Sequence, residues 1–135
     1  MANFYGQGRS NYVKVTDIEK FKELCGERNL EFWKSDREKE KVGCVSINDD
    51  GSYNTYVYDE ESGDETELPD FLDEVSKILQ DEEVFIWMCN GSEKLRYLTG
   101  FAYAINNKGD KKSIDIDDIY DLSKDLGKNI TLAQY

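Results

Sequence analysis

The feature that most constrains the fold is a run of six consecutive apolar residues at positions 84–89. The run is short enough for a strand and rich in residues that favour strands, so it predicts the centre of a sheet. Asn90 and Gly91 follow at once and indicate a tight turn. Residues 94–106 should then pair back as a long strand whose two faces are both partly covered.

Three segments carry helix signals. The first begins with a capping box at residues 16–19, repeats apolar residues at spacings of three and four, and should end at Gly26. The second begins at Pro69 and has acidic residues in its first turn. The third is expected to be capped by Asp117 and to extend through Leu126.

The remaining segments are short and alternate with turn signals. Further strands are predicted at residues 11–15, 30–34, 42–47, 53–58 and 112–116, with a hairpin turn at residues 48–51. The order β-α-β-β-β-α-β-β-β-α predicts an α+β fold with a mainly antiparallel sheet and about three helices packed on it.

Length and composition indicate a single domain over residues 1–135. Its N-terminal arm, residues 1–10, is expected to be flexible, and the acidic segment at residues 59–67 is expected to be a mobile loop. No apolar run is long enough to cross a membrane, which predicts a cytoplasmic protein that does not bind membranes. The oligomeric state stays open.

Several kinds of chemistry are disfavoured by the residue types present. The chain has no histidine, which removes the His-dependent nucleophilic systems and most catalytic zinc sites. Cys25, Cys44 and Cys89 are widely spaced among apolar residues, so we interpret them as core thiols. No pair of carboxylates stands out for acid and base roles, and we therefore expect no catalytic residue, no cofactor and no enzyme.

Two acidic stretches could suggest a metal. In the first, an EF-hand register with Gly51 sixth would place Val57 at the twelfth position, where a glutamate is required. In the second, Asp115, Asp117, Asp118 and Asp121 could collect a divalent ion, but Asp117 as a helix cap with acidic first-turn neighbours explains them without one. We expect no metal site.

The net charge of −12 is concentrated in one segment. Residues 59–83 carry 12 acidic side chains and one basic side chain, whereas the chain on either side of them is nearly neutral. Such a chain should not bind nucleic acid directly, because phosphate binding needs clustered cations. The segment is either a solvated loop that confers solubility or a row of carboxylates that imitates nucleic-acid phosphates.

The imitation hypothesis has specific candidate residues. Tyr56 and Tyr58 can share one strand face beside the acidic segment, as aromatic anchors next to a charged rim or as ordinary sheet packing. The candidate partner-binding residues are Tyr56, Tyr58, Asp59, Glu60, Glu61, Asp64, Glu65, Glu67, Asp70, Asp73 and Glu74.

Two blocks of sequence carry a resemblance to a known group. They are Phe-Tyr-Gly-Gln-Gly-Arg-Ser-Asn-Tyr at residues 4–12 and Glu-Lys-Leu-Arg-Tyr-Leu-Thr-Gly at residues 93–100. In these blocks the chain resembles a family of small acidic, uncharacterised proteins associated with bacterial plasmids, integrative elements and phages. The resemblance implies an accessory role in a mobile element, and such elements often encode small acidic anti-restriction and anti-CRISPR proteins.

Two functions are therefore compared. The first is an anti-defence protein whose acidic segment occludes the basic cleft of a host nucleic-acid-binding protein, such as a nuclease or a CRISPR effector. The alternative is a neutral accessory or structural protein-interaction module whose acidic loop only confers solubility.

Overall fold

The computed structural model describes residues 4–94 and 96–133. These residues form an α+β fold, a seven-stranded and mostly antiparallel sheet with three helices, which confirms the predicted class. The elements are β1 (Tyr5–Ser10), β2 (Val13–Lys14), α1 (Ile18–Glu27), β3 (Leu30–Lys34), β4 (Lys41–Ser46), β5 (Tyr56–Tyr58), β6 (Glu65–Glu67), α2 (Phe71–Ile78), β7 (Val84–Glu93), β8 (Tyr97–Asn106), β9 (Lys111–Asp115) and α3 (Asp118–Leu122).

Strand β7 lies inside the main sheet, which confirms the central strand that the apolar run predicts. It pairs with β1 along one side and with β8 along the other, and β8 in turn pairs with β9. Both β1 and β2 pair with β4. Val42 of β4 pairs with Val13 of β2 and with Lys34 of β3, so β3 lies on the far side of β4. Strands β5 and β6 form a separate two-stranded sheet.

The predicted flexible arm at residues 1–10 is wrong for residues 5–10, which form β1, while residues 1–3 lie outside the described residues. The glycines that indicated flexibility are what the packing requires. The loop at residues 49–51 lies against β1, and the Gly6 amide donates to the Asp49 carbonyl at 2.8 Å. A β-carbon at Gly6 would collide with the Asp50 carbonyl, and one at Gly8 with the Gly51 carbonyl.

The predicted turn at Asn90 and Gly91 is also wrong, because both residues lie within β7. Each pairs with β1 on one side and with β8 on the other, and this pairing outweighs the local turn preference. The chain reverses after Glu93 instead. There the Arg96 amide donates to the Glu93 carbonyl at 3.1 Å, and Lys94 adopts a left-handed φ of 51°.

The strand predicted at residues 53–58 is shorter than expected and has a different partner. Residues 48–51 do turn, with the Gly51 amide donating to the Asn48 carbonyl at 3.1 Å. The chain then packs against β1 rather than returning along β4, and only Tyr56–Tyr58 is a strand, paired with β6. The predicted hairpin with β4 does not form, because β3 and the β1–β2 segment already occupy the two sides of β4.

Helix boundaries differ from prediction at several ends. Asp17, rather than Thr16, caps α1 by accepting from the Lys20 amide at 3.0 Å. The helix continues through Gly26, and Asn29 takes the left-handed conformation that ends it, with φ of 59°. The second helix is confirmed, but it begins at Phe71 rather than at Pro69, with Asp70 as its cap.

The third helix ends at Leu122, short of the predicted Leu126. Asp117 makes no side-chain capping bond. Neighbouring carboxylates hold the local backbone instead, since Asp115 accepts from the Asp117 amide at 2.8 Å and Asp118 accepts from the Asp115 amide at 3.0 Å. No residue of this helix is buried.

The core lies between the helices and one face of the main sheet, here called the inner face. Phe21 of α1 and Phe71 of α2 meet Phe85 of β7 edge-on, with ring centroids 6.3 and 5.8 Å apart, and Phe71 also meets Trp87. These contacts are the geometry that aromatic side chains prefer.

None of the described helices is long and apolar enough to be a membrane span.

The opposite face, here called the outer face, presents exposed apolar side chains. Met88 is 58% exposed and Ile114 is 68% exposed, although both belong to strands of the main sheet. The expectation that both faces of the strand at residues 94–106 are partly covered is confirmed on this face by Gly100, Ala102 and Ala104, which are half-buried. The two major helices lie on the inner face, and the third buries nothing.

The three cysteines are free and buried, as core thiols should be. A hydrogen bond with Cys44, together with burial, raises the pKa of the Cys25 thiol. The thiol therefore stays protonated, which disfavours reactivity.

Candidate partner-binding site: the acidic hairpin

Residues 56–67 form a β-hairpin, here called the acidic hairpin. Tyr56 pairs with Glu67 and Tyr58 with Glu65, and Val57 pairs with Thr66 between them. The loop predicted over residues 59–67 is thus corrected at Glu65–Glu67, which is strand β6. Charge repulsion along this segment indicated a loop, but cross-strand pairing with two tyrosines and a valine stabilises a short ladder.

The turn at residues 59–64 is closed by its own hydrogen bonds. The Asp59 amide donates to the Asp64 carbonyl at 2.9 Å, and the Gly63 amide donates to the Asp59 carbonyl at 2.8 Å. The Asp59 carboxylate accepts from the Glu61 amide at 2.9 Å, and Gly63 supplies a left-handed φ of 73°. The turn therefore has a defined backbone, while the mobility of this segment stays a prediction.

Arg28 anchors both ends of the acidic hairpin. Its carbonyl accepts from the Asn54 amide at 2.8 Å, and its guanidinium donates to the Pro69 carbonyl at 2.7 Å. The side chain is 1% exposed and lies 5.5 Å from the centre of the Phe71 ring. The two chain segments that enter and leave the hairpin are thus tied to one buried side chain at the end of α1.

No local pattern indicates this role of Arg28. The residue follows a predicted helix within a charged stretch, which is typical of a solvated position. Its partners at residues 54 and 69 are distant along the chain, and only the folded structure brings them together. Arg28 also donates to the Leu24 carbonyl at 3.2 Å and lies 3.3 Å from the Glu27 carboxylate, so its charge is well satisfied.

The side chains of the acidic hairpin are exposed throughout. Tyr56 and Tyr58 share a face with Glu65 and Glu67, because alternate residues of paired strands point the same way. Among the described residues, no cation lies within salt-bridge distance of its six carboxylates, which belong to Asp59, Glu60, Glu61, Asp64, Glu65 and Glu67. Within the part of the chain that the structure describes, the hairpin is thus an exposed surface whose negative charge no neighbouring cation neutralises.

The three candidate carboxylates on α2 have a different environment. Asp70 and Asp73 lie 3.4 and 2.8 Å from the Lys111 ammonium, and Glu74 lies 3.2 Å from that of Lys77. A hydrogen bond to Asp73 and the charge of Asp70 raise the pKa of Lys111. Asp70 also caps the helix by accepting from the Asp73 amide at 3.1 Å. The structure therefore separates these residues from the hairpin, where the negative charge is free.

A metal has no evident place in the described part of the chain. Among residues 4–94 and 96–133, no three or more carboxylate or thiol groups are gathered in a way that could hold an ion. In the stretch around α3, the carboxylates of Asp115 and Asp118 accept from backbone amides.

Comparison with known proteins finds no matching family model, no matching curated protein and no matching solved structure.

Limited proteolysis should cleave the acidic hairpin first. A two-stranded ladder outside the main sheet opens at low cost, whereas strands with partners on both sides open only near the global free energy of unfolding. We expect the first cut by a broad-specificity protease within residues 59–64, with β1 and β7 still intact, as mass spectrometry of the fragments would show. A first cut inside β1 or β7 would contradict the observed sheet order.

Proposed function

We propose that this chain is a non-enzymatic, cytoplasmic binding protein of a bacterial mobile element that imitates nucleic-acid charge. Its acidic hairpin would enter the basic cleft of a host nucleic-acid-binding protein, such as a nuclease or a CRISPR effector. The observation that carries the proposal is the exposed hairpin, whose six carboxylates have no cationic partner among the described residues. The resemblance to mobile-element proteins at residues 4–12 and 93–100 supports the biological setting.

The chemistry of the hairpin fits such a cleft. Nucleic-acid-binding clefts are lined with lysine and arginine that release counterions when they meet a row of negative charges. Glu65 and Glu67 lie on one strand face about 7 Å apart, the spacing of alternate residues in a strand, and the turn adds further carboxylates at the tip. Tyr56 and Tyr58 lie directly across from them and offer aromatic surface that a partner can bury.

The proposal is tested by affinity capture from a bacterial host lysate. The tagged chain should recover basic nucleic-acid-binding proteins at low salt and release them as the salt concentration rises, because screening weakens exposed charge pairs. Added double-stranded DNA should compete for the same proteins. Recovery of no basic protein, or recovery that salt and DNA leave unchanged, would contradict the proposal.

A second candidate function has its own supporting observation. The exposed apolar surface on the outer face of the sheet favours a protein-interaction module in which the acidic segment only confers solubility. In that case neutralising the carboxylates of the acidic hairpin would not reduce the recovery of any captured protein. The two functions therefore differ in the surface at which a substitution abolishes binding: the acidic hairpin for charge imitation, and the outer face for the interaction module.

A further inference from the structure

The outer face of the main sheet holds a groove of about 720 Å³. Register places one side chain from each of four adjacent strands in a row across it, since Arg9 pairs with Met88, Met88 with Ala102, and Ala102 with Ile114. Gly100 and Ala102 form part of the floor, where their small size leaves room for a ligand, and Trp33 also lines the groove. An exposed apolar surface of this kind on a small domain usually marks a binding site.

The C-terminal segment, residues 118–132, presents exposed apolar side chains. Leu122 is 73% exposed and Leu126 is 85% exposed, and Ile119, Ile130 and Leu132 are exposed as well. Residues 119, 122 and 126 follow the spacing that places apolar side chains on one side of a helix. The chain thus has two exposed apolar surfaces, a groove and a segment.

We propose that two copies of this chain associate by exchanging C-terminal segments, each copy placing its segment in the outer-face groove of the other. The segment follows directly from Ile116, which lines the groove, so it leaves the sheet at the rim of the surface that it would cover in the partner copy. Reciprocal exchange about a two-fold axis covers the groove and the segment of both copies. The assembly is therefore closed at two copies, with no groove or segment left to bind a third.

Charge complementarity favours a second copy as the occupant. The Arg9 guanidinium lies 5.8 Å from the ring centres of both Tyr12 and Trp33, and it has no carboxylate within salt-bridge distance among the described residues. The C-terminal segment carries Asp118, Asp121 and Asp125 beside Lys124 and Lys128. Lys124 pairs with Asp121 at 2.7 Å, so Asp118 and Asp125 are the carboxylates of the segment without a cation among the described residues. Asp115 also lines the groove, but it lies on β9, across β7 and β8 from Arg9. The Arg9 side of the groove would therefore receive an apolar segment that carries two unpaired carboxylates.

The location of the acidic hairpin is compatible with this association. Tyr53, just before the hairpin, packs on Phe71 and Trp87 in the inner-face core, and Arg28 ties the hairpin to the end of α1. The most negative part of each copy is thus attached to the helical side of the sheet. Association through the outer faces does not require the two hairpins to meet, which like charges would oppose. The inference does not depend on the proposed function.

The test is the molar mass in solution, measured by light scattering during size-exclusion chromatography at about 100 μM, well above the micromolar Kd of a modest interface. The native chain should have twice the mass of one 15.6 kDa chain. A groove variant, Met88→Glu with Ile114→Glu, and a segment variant, Leu122→Asp with Leu126→Asp, should each be monomeric. All four side chains are exposed in the single chain, so circular dichroism should show unchanged folding.

Mixing and a matched control make the test specific. Each variant retains the surface that the other has lost, so an equimolar mixture should recover dimers through one intact groove and one intact segment. Val57→Glu, which adds charge at an exposed apolar position of the acidic hairpin, should stay dimeric. A monomeric native chain would overturn the inference. A segment variant that stays dimeric while the groove variant does not would overturn the C-terminal segment as the occupant.

Discussion

Replacing Arg28 by alanine should lower the free energy of unfolding by about 3 kcal/mol, a large effect for a single domain. Truncation leaves the Pro69 carbonyl without its donor and the Glu27 carboxylate without its partner, and it removes the side chain that packs on Phe71. The main cost comes from the packing and the hydrogen bonds of the buried Arg28 side chain, since the Glu27 side chain is 47% exposed and its carboxylate remains hydrated. Chemical denaturation followed by tryptophan fluorescence gives the value directly.

The matched control for this substitution is Arg37→Ala. Arg37 is exposed, and no ion pair or hydrogen bond of its side chain appears among the described residues, so its free energy of unfolding should change by less than about 0.5 kcal/mol. Equal stability of the two variants would contradict the anchoring role of Arg28. The Arg28 variant should also be cleaved faster within the acidic hairpin, because both ends of that hairpin lose their common attachment.

Neutralising four carboxylates of the acidic hairpin should slow association with the captured partner by about tenfold or more at low salt. The hairpin variant combines Glu60→Gln, Glu61→Gln, Asp64→Asn and Glu65→Gln, whose side chains make no hydrogen bond or ion pair among the described residues. Asp59 is retained because its carboxylate holds the turn. Stability should be unchanged or slightly raised, since crowded like charges repel each other.

A scattered variant with the same change of net charge is the control. It combines Glu19→Gln, Glu23→Gln, Asp36→Asn and Glu40→Gln, all exposed and outside the hairpin, three of them in exposed ion pairs at 3.4 to 3.7 Å. If the location of the charge matters, this variant should associate at close to the native rate. If both variants associate equally slowly, the association rate depends on the net charge of the chain and not on where that charge lies.

Local sequence patterns predicted much of the fold because several elements are encoded locally. The strands at residues 30–34 and around 84–89 and the helix after Pro69 follow from apolar periodicity and capping residues. The shared face of Tyr56 and Tyr58 follows from the two-residue period of a strand. These features need no knowledge of the rest of the chain.

Most of the failures arise because the deciding contact comes from another strand or loop, whereas the backbone at the start of the third helix is held by its own neighbouring carboxylates. Strand β1 looks like an arm because its glycines have no strand preference, yet they make room for the loop at residues 49–51. Strand β6 resembles a loop in sequence because it is acidic, and it becomes a strand only by pairing with Tyr56 and Tyr58 of β5. The same applies to α2, where Lys111 from a remote strand neutralises Asp70 and Asp73 and so restricts the free charge to the hairpin.

The most direct test of charge imitation is the association rate constant with the captured partner, measured for the native chain and both four-site variants across a range of salt concentrations. If the hairpin imitates nucleic-acid charge, the rate constant should fall steeply with salt for the native chain and the scattered variant, and should be low and nearly independent of salt for the hairpin variant. The reason is that exposed charges accelerate encounter through an electric field that salt screens. A hairpin variant with the native rate and the native salt dependence would contradict charge imitation.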